Sequence, residues 1–124
     1  MTTEPRQVLV IDDDQLARLE IARCVEQQGH MTTLAEHGGQ GLELLRSRHF
    51  DLVLLDLVMP EVDGFEVLRQ MKEDAELRSV PVIVITAVGE AENMAKCMEM
   101  GADSHLSKPV DPNLLGGHIK AIFQ

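Results

Sequence analysis

The sequence has few aromatic residues and little basic charge. Its 124 residues include three Phe and no Trp or Tyr, so any core must be built from aliphatic side chains. Lys and Arg number 11 against 21 Asp and Glu, which gives a net charge of −10. Because phosphate contacts require clusters of Lys and Arg, this balance argues against direct binding of nucleic acid or of an anionic membrane.

Long apolar runs and cysteine motifs are also missing. No run approaches the roughly 20 apolar residues that span a bilayer, and the polar start MTTEPRQ is unlike a signal peptide. The two cysteines, Cys24 and Cys97, have no C-x-x-C spacing, and unpaired thiols are typical of cytosolic proteins. We therefore expect a cytoplasmic protein with one domain over residues 1–124.

Short apolar runs are present, and they are rich in branched residues without alternating in polarity. The three strongest are VLVI at residues 8–11, LVLL at 52–55 and VIVI at 82–85. This pattern is typical of strands that are buried on both faces of a parallel sheet. MTTLA at residues 31–35 and SHLS at 104–107 are weaker candidates, of which the first suits a strand near an edge.

Helical patterns separate these runs. They cover about residues 14–28, 39–48, a segment that begins near 64, residues 90–100 and the segment from 112 onwards. Their apolar spacing predicts that the third helix buries Phe65, Leu68 and Met71 and that the fourth buries Met94, Ala95 and Met98. Asp14 and Asp111 suit helix caps, while Gly116 and Gly117 weaken the last helix by roughly 1 kcal/mol each relative to Ala. Strict alternation of strand and helix predicts a three-layer α/β fold with right-handed crossovers. Ligands of such folds bind at the carboxyl ends of the strands.

Reactive side chains follow several of the predicted strands. Asp12 and Asp13 follow the first, Asp56 ends the third, Thr86 ends the fourth and Lys108 follows the fifth. An Asp after a strand is usually a cap or a loop acid, but the conjunction of five such positions predicts one convergent site. Two carboxylates 4 Å apart near a surface repel by about 4 kcal/mol. Lys108 offsets part of this repulsion, and Mg²⁺, or Mn²⁺ in its place, would offset more.

Asp56 is the candidate nucleophile at this site. A carboxylate can attack phosphorus and form an aspartyl phosphate. A cation and Lys108 would then hold the phosphoryl oxygens, while Thr86 donates a hydrogen bond to them.

The sequence closely resembles the receiver domains of two-component response regulators. The resemblance rests on VLVIDDD, DLVLLDLVMPEVDG, VPVIVITA and GADSHLSKPV, which stand in the family's order and spacing from about Val8 to the end of the chain. It implies a flavodoxin-like αβα sandwich with a five-stranded parallel sheet in the order 2-1-3-4-5. It also implies a phosphoacceptor protein of two-component or phosphorelay signalling that depends on magnesium.

The resemblance assigns roles to individual residues. Asp56 is similar to the phosphoacceptor of the family. Asp13 matches the direct metal ligand, Asp12 a ligand acting partly through water, and the backbone carbonyl of Val58 a third protein ligand. Thr86 resembles the switch hydroxyl that moves towards the phosphoryl group.

Further positions follow the family or depart from it. Lys108 matches the lysine that pairs with the phosphoryl group, and it precedes a cis bond to Pro109 in this family. His105 stands where the family usually has Tyr or Phe; it either faces solvent without a special role or makes the output switch sensitive to pH. Val58 and Val88 occupy positions that tune phosphoryl loss, and their apolar side chains predict a long-lived aspartyl phosphate unless other loop residues set the rate.

The resemblance also implies partners and limits. The phosphodonor would be a histidine kinase or a histidine phosphotransfer protein, and a protein target would bind the fourth helix, fifth strand and fifth helix, where Lys96, His105 and Lys120 lie. The chain would be a switch that catalyses only its own phosphorylation and dephosphorylation. Two other functions are less favoured. A magnesium-dependent phosphohydrolase commonly needs a second Asp two residues after the nucleophile, where this sequence has Val58. A binding module that works without phosphorylation would not need the site residues, all of which are present. The chain is either a stand-alone receiver or one domain of a longer protein.

Overall fold

Five strands alternate with five helices along the chain. The computed structural model describes residues 4–59, 61–87, 89 and 91–124. The strands are β1 (Gln7–Ile11), β2 (Met31–Ala35), β3 (Leu52–Asp56), β4 (Val82–Ala87) and β5 (Ser104–Lys108). The helices are α1 (Gln15–Gln27), α2 (Gly38–Ser47), α3 (Gly64–Glu73), α4 (Ala91–Glu99) and α5 (Pro112–Ile122). No helix in the described ranges is both long and apolar enough to cross a membrane.

The strands form one parallel sheet in the order β2-β1-β3-β4-β5, which confirms the predicted fold. Val10 of β1 lies opposite Leu34 of β2 on one side and Leu54 of β3 on the other. The strand order reverses at β1, because β2 and β3 lie on opposite sides of it. A ligand of such a sheet is expected at the carboxyl ends of these central strands.

Successive strand residues point into two aliphatic cores, one on each face of the sheet. One core joins Leu9, Ile11, Val53, Leu55, Val82 and Val84 of the sheet to α2, α3 and Cys97 of α4. The other joins Val8, Val10, Leu52, Leu54, Ile83, Ile85 and Leu106 to α1 and α5. The central strands are therefore covered on both faces, which explains why their sequences show no polar alternation.

Acidic and imidazole side chains define the starts of four helices. Asp14 accepts a hydrogen bond from the backbone N–H of Ala17 and caps α1, and Asp111 caps α5, as the sequence predicts. Asp63 caps α3 and His37 caps α2, and neither of these two caps was predicted. An imidazole nitrogen satisfies the same free backbone N–H groups as a carboxylate does.

The buried face of α3 differs in part from its apolar pattern. Leu68 and Met71 are buried as the spacing predicts, and Val67 is buried with them. Phe65 is only half-buried, because its ring lies at the edge of the core and carries the ammonium group of Lys96, 4.5 Å from the ring centroid. A cation on an aromatic face offsets part of the cost of leaving the ring exposed.

The apolar pattern of α4 predicts the wrong inner face. Met94, Ala95 and Met98 were expected inside, but Ala95 and Met98 are exposed and Met94 is half-buried. Cys97 is the buried residue of this helix. The spacing of Met94, Ala95 and Met98 does define one apolar face, but the helix packs on the sheet through the adjacent side, which carries Cys97.

Candidate functional site

Three carboxylates meet where β1 and β3 end. Asp56 is the last residue of β3, and Asp12 follows β1; both side chains are buried, with 5% and 1% of their surface exposed. Asp13 is exposed beside them. One carboxylate oxygen from each of the three lies within 4.8 Å of the others. The adjacent position of β1 and β3 in the sheet therefore brings together residues that are far apart in sequence.

The turn from β1 into α1 fixes the direction of these acids. Asp12 accepts a hydrogen bond from the backbone N–H of Asp14 at 2.9 Å, while Asp14 itself turns away to cap α1. The backbone carbonyl of Asp12 accepts a hydrogen bond from Arg18 at 2.8 Å. The three consecutive acids of the sequence thus have different surroundings, and only Asp12 and Asp13 face Asp56.

Lys108 brings a positive charge to the cluster from the end of β5. Its Nζ lies 2.9 Å from Asp12 Oδ2 and 3.5 Å from Asp56 Oδ2. Burial alone would lower the pKa of Lys108, but its contact with Asp12 and the charge of Asp56 outweigh burial, so the pKa is raised. Lys108 is therefore a fixed cation here, and the bond that follows it, to Pro109, is cis.

The surroundings of Asp56 disfavour its ionised form. Burial and the neighbouring charge of Asp12 raise its pKa to about 7, although Lys108 and the backbone N–H of Val58 act in the opposite direction. That N–H lies 3.4 Å from Asp56 Oδ1, and the Val58 side chain is exposed. A raised pKa produced by burial and a neighbouring like charge is characteristic of functional carboxylates.

Thr86 carries a buried hydroxyl on the neighbouring strand. Its side chain is fully buried, and its Oγ1 has no hydrogen-bond partner in the described part of the chain. Register places Ile85 opposite Asp56, so Thr86 lies one step further towards the carboxyl end of the sheet. A buried hydroxyl without a partner costs about 1–3 kcal/mol. This hydroxyl is available to a ligand at the rim.

The donor set fits a hard divalent cation. All three side chains offer carboxylate oxygens, which Mg²⁺ and Mn²⁺ prefer, and exposed Asp13 leaves the site open to water. The cluster also has more negative charge than Lys108 alone balances. The residues that are present therefore suit the metal expected from the sequence.

One predicted position lies apart from this cluster, another falls outside the described residues, and one residue of the site was missed. His105 is exposed on β5, and Val88 lies outside the described residues. Arg18 was not predicted to touch the site, yet its guanidinium is buried and bonded to Asp12. The sequence held no clear signal for this contact, because the acceptor is a backbone carbonyl and not an acidic side chain.

Comparison with known proteins identifies the family. A family model described as the response regulator receiver domain matches residues 8–120. The chain belongs to this family. It is 35% identical over 117 residues to the protein PilH of Pseudomonas aeruginosa, covering 94% of this chain and 97% of PilH. It is 34% identical over 119 residues to the phosphate regulon regulatory protein PhoB of the same species, covering 96% of this chain and 52% of PhoB.

Solved receiver structures agree with the fold. The receiver domain of the Francisella response regulator 1452 superimposes with a TM-score of 0.86 and 29% identity, covering 95% of this chain and 96% of that one. A response regulator structure from Chloroflexus aurantiacus reaches a TM-score of 0.92 at 23% identity, covering 97% and 98% of the two chains, and supports the fold alone. The protein is thus a receiver domain of two-component signalling, a family that accepts a phosphoryl group on aspartate and interacts with histidine kinases and downstream effectors.

Proposed function

We propose that Asp56 is the phosphoacceptor of this receiver domain, and that its phosphorylation switches the surface that binds output partners. The observation that carries the proposal is the position of Asp56. It ends a central strand, is buried, and lies in one cluster with Asp12, Asp13 and the ammonium group of Lys108. A nucleophile beside groups that compensate phosphoryl charge is the arrangement that this transfer requires.

The chemistry proceeds by attack of the Asp56 carboxylate on phosphorus. A bond forms between a carboxylate oxygen and phosphorus, and the P–N bond of the donor phosphohistidine breaks. The electron pair of that bond remains on the imidazole nitrogen of the donor, which leaves. Lys108, with its Nζ 3.5 Å from Asp56 Oδ2, is placed to neutralise a phosphoryl oxygen, and the Thr86 hydroxyl gains the hydrogen-bond acceptor that it lacks.

Asp12, Asp13, Asp56 and the backbone carbonyl of Val58 are the proposed metal ligands. Asp12 would act partly through water, because its Oδ2 is already paired with Lys108. Bound Mg²⁺ or Mn²⁺ would add positive charge where the phosphoryl oxygens collect negative charge. The carboxylate cluster and its incomplete neutralisation support this assignment.

The output face is proposed on α4, β5 and α5, with Lys96, His105 and Lys120 as contact residues. His105 is exposed, so it is accessible to a partner. For its role as a pH-sensitive switch, partner affinity of the phosphorylated protein would be compared between wild type and His105→Phe from about pH 5.5 to 8. Parallel curves would exclude that role.

The donor is proposed to be a histidine kinase or a histidine phosphotransfer protein. We place the protein in the cytoplasm, because both cysteines are free thiols. It would act as a single receiver unit over residues 1–124 that catalyses only its own phosphorylation and dephosphorylation. A phosphohydrolase is the less favoured alternative, because the exposed Val58 offers no general acid beside Asp56.

Labelling with acetyl phosphate tests the assignment of Asp56. Intact-mass analysis should show one added phosphoryl group with Mg²⁺ and none after chelation or in Asp56→Asn. Asp14→Asn is the matched control, because Asn keeps the helix cap and this acid faces away from the cluster. Labelling of Asp56→Asn at the wild-type level, or release of free phosphate without a labelled protein, would refute the proposal.

A further inference from the structure

Arg18 is a buried cation beneath the carboxylate cluster. Only 8% of its surface is exposed, less than for any other lysine or arginine in the described ranges. A guanidinium stays charged at any physiological pH, and burying it costs several kcal/mol unless nearby groups compensate. The contacts of Arg18 must therefore explain why α1 turns this residue inward.

The strongest contact of Arg18 is with the backbone and not with an acid. Its Nη1 donates to the carbonyl oxygen of Asp12 at 2.8 Å, in a buried position. Its Nη2 lies 3.8 Å from Glu36 Oε1, but the Glu36 side chain is 71% exposed. A pair at that distance with one partner exposed contributes little, because water and salt screen the attraction. The bond to the Asp12 carbonyl is thus the contact that holds the guanidinium.

This contact fixes the turn that carries two proposed metal ligands. On its other side, the backbone N–H of Asp12 donates to the carbonyl of Ala35 at the end of β2, 3.1 Å away. The peptide units around Asp12 are therefore held by the sheet on one side and by Arg18 of α1 on the other. Asp13 follows directly, and within the described part of the chain no hydrogen bond or ion pair of its own restrains it.

We propose that Arg18 is a positioning residue for the metal site, which holds the Asp12–Asp13 turn in the geometry that binds Mg²⁺. The inference rests on the proposed function, since it assumes that this cluster binds the metal. Groups that orient metal ligands typically change metal affinity 10- to 100-fold when they are removed. If only the charge of Arg18 mattered, removing it would strengthen Mg²⁺ binding, because a guanidinium near a cation repels it. The sign of the change therefore separates positioning from simple charge.

Direct metal titration by calorimetry tests the inference without any phosphoryl transfer. We expect Arg18→Met to raise the dissociation constant for Mg²⁺ about tenfold. Arg18→Lys should restore only part of the affinity, because an ammonium keeps the charge but lacks the reach of the guanidinium fork. Arg23→Met is the matched control, since it removes the same charge from an exposed position of the same helix and should leave Mg²⁺ affinity unchanged.

Two further measurements distinguish the possible outcomes. Glu36→Gln should bind Mg²⁺ as wild type does; a loss equal to that of Arg18→Met would mean that the ion pair and not the carbonyl contact matters, and would overturn the proposal. In acetyl phosphate labelling, Arg18→Met should need more Mg²⁺ for half-maximal rate but approach the wild-type rate at saturation. If Arg18→Met does not fold, as judged by circular dichroism, the Mg²⁺ dissociation constant of Arg18→Lys is compared with that of wild type instead.

Unchanged or tighter Mg²⁺ binding in the folded Arg18 variants would also overturn the inference. Such a result would leave the proposed function standing, provided that wild type binds Mg²⁺ and is labelled on Asp56. Absence of Mg²⁺ binding in wild type itself would instead refute the metal site of the proposed function. The two failures are therefore distinguishable.

Discussion

The charges around Asp56 do not balance without a ligand. Asp12, Asp13 and Asp56 place three acids within one small cluster, and Lys108 contributes one cation directly to it. Coulomb repulsion between such groups grows as water is excluded. Residues that lower stability in this way are expected where function requires them. This excess of negative charge lowers the stability of the free protein and favours the binding of a cation, as the proposed metal site requires.

Val58 is proposed to prolong the life of the phosphorylated state. Its N–H points to Asp56 Oδ1, while its side chain is exposed and has no group to orient an attacking water. We expect Val58→Asn, alone or with Val88→Glu, to shorten the half-life of the aspartyl phosphate several-fold, because polar side chains can position that water. Decay of the phosphorylated mass after removal of the donor measures the half-life.

A second variant separates this effect from a general loss of apolar surface. Leu114→Asn makes the same kind of change at another exposed apolar side chain, on α5, and should leave the half-life as in wild type. Equal decay in wild type and in the Val58 and Val88 variants would show that other loop residues set the rate.

The sequence predicted the acids of the site better than their supporting residues. Asp12, Asp13 and Asp56 directly follow or end strands whose apolar runs are unmistakable, so parallel strands alone place them at one rim. Arg18 was not foreseen, because hydrophobic periodicity treats a charged side chain as an exposed one. Its burial depends on the exact position of a backbone carbonyl, which only the folded chain defines.

At the scale of elements, two glycines have opposite roles in helix packing. Gly64 begins α3, and a Cβ there would lie 2.3 Å from the carbonyl oxygen of Asp56 and 2.6 Å from Cα of Leu57. These are backbone atoms at the end of β3, which cannot move without moving Asp56, the proposed phosphoacceptor. Gly117 lies exposed inside α5, where a Cβ would meet no atom within 4 Å.

These surroundings predict stability changes of opposite sign for the same substitution. Gly64→Ala should lower the free energy of unfolding by about 2 kcal/mol through overpacking. Gly117→Ala should raise it by about 0.5–1 kcal/mol, because alanine favours the helix. Urea unfolding followed by circular dichroism measures both, and each variant serves as the control of the other. A neutral Gly64→Ala would mean that α3 does not pack as tightly on β3 as its backbone indicates.

Strands were more predictable than helix faces, for a reason that lies in burial. The central strands β3 and β4 are enclosed on both sides, so the first four residues of each are all apolar. In β5 only Leu106 is buried, and its sequence is correspondingly ambiguous. In α4 only Cys97 is buried, so neither Met98 nor Ala95 could be recognised as exposed from spacing alone.

At the scale of the whole molecule, a second cluster of polar and aromatic groups lies at the end of the sheet opposite Asp56. Arg6 precedes β1, His30 precedes β2 and Asp51 precedes β3, and Phe123 follows α5. His30 is buried with its ring against Phe123, 4.9 Å between centroids, and the guanidinium of Arg6 covers the same Phe123 ring at 5.1 Å. This cluster joins three strand starts to the last helix, and so connects distant parts of the chain.

The neutral form of His30 is the one that fits this cluster. Its Nδ1 accepts the backbone N–H of Arg6 at 3.1 Å, which requires that this nitrogen carry no proton. Burial and then the charge of Arg6 lower the pKa of His30, and Asp51, which is itself paired with His49, only partly opposes them. Protonation would therefore place a second positive charge beside Arg6 and break the hydrogen bond.

Linkage converts this lowered pKa into a pH dependence of global stability. A group whose pKa is lower in the folded than in the unfolded chain stabilises the fold above its unfolded value, about 6.5 for His, and loses this contribution as pH falls through the folded value. We expect His30→Asn to lower the free energy of unfolding at pH 8, and to lower it less as the solution is acidified.

Carboxylates also titrate in acid, but wild type and variant share them, so the difference between the two curves isolates His30. Urea unfolding at a series of pH values measures that difference, with His105→Asn, at an exposed imidazole, as the matched control. A difference that stays constant with pH would show that His30 acts through packing on Phe123 alone.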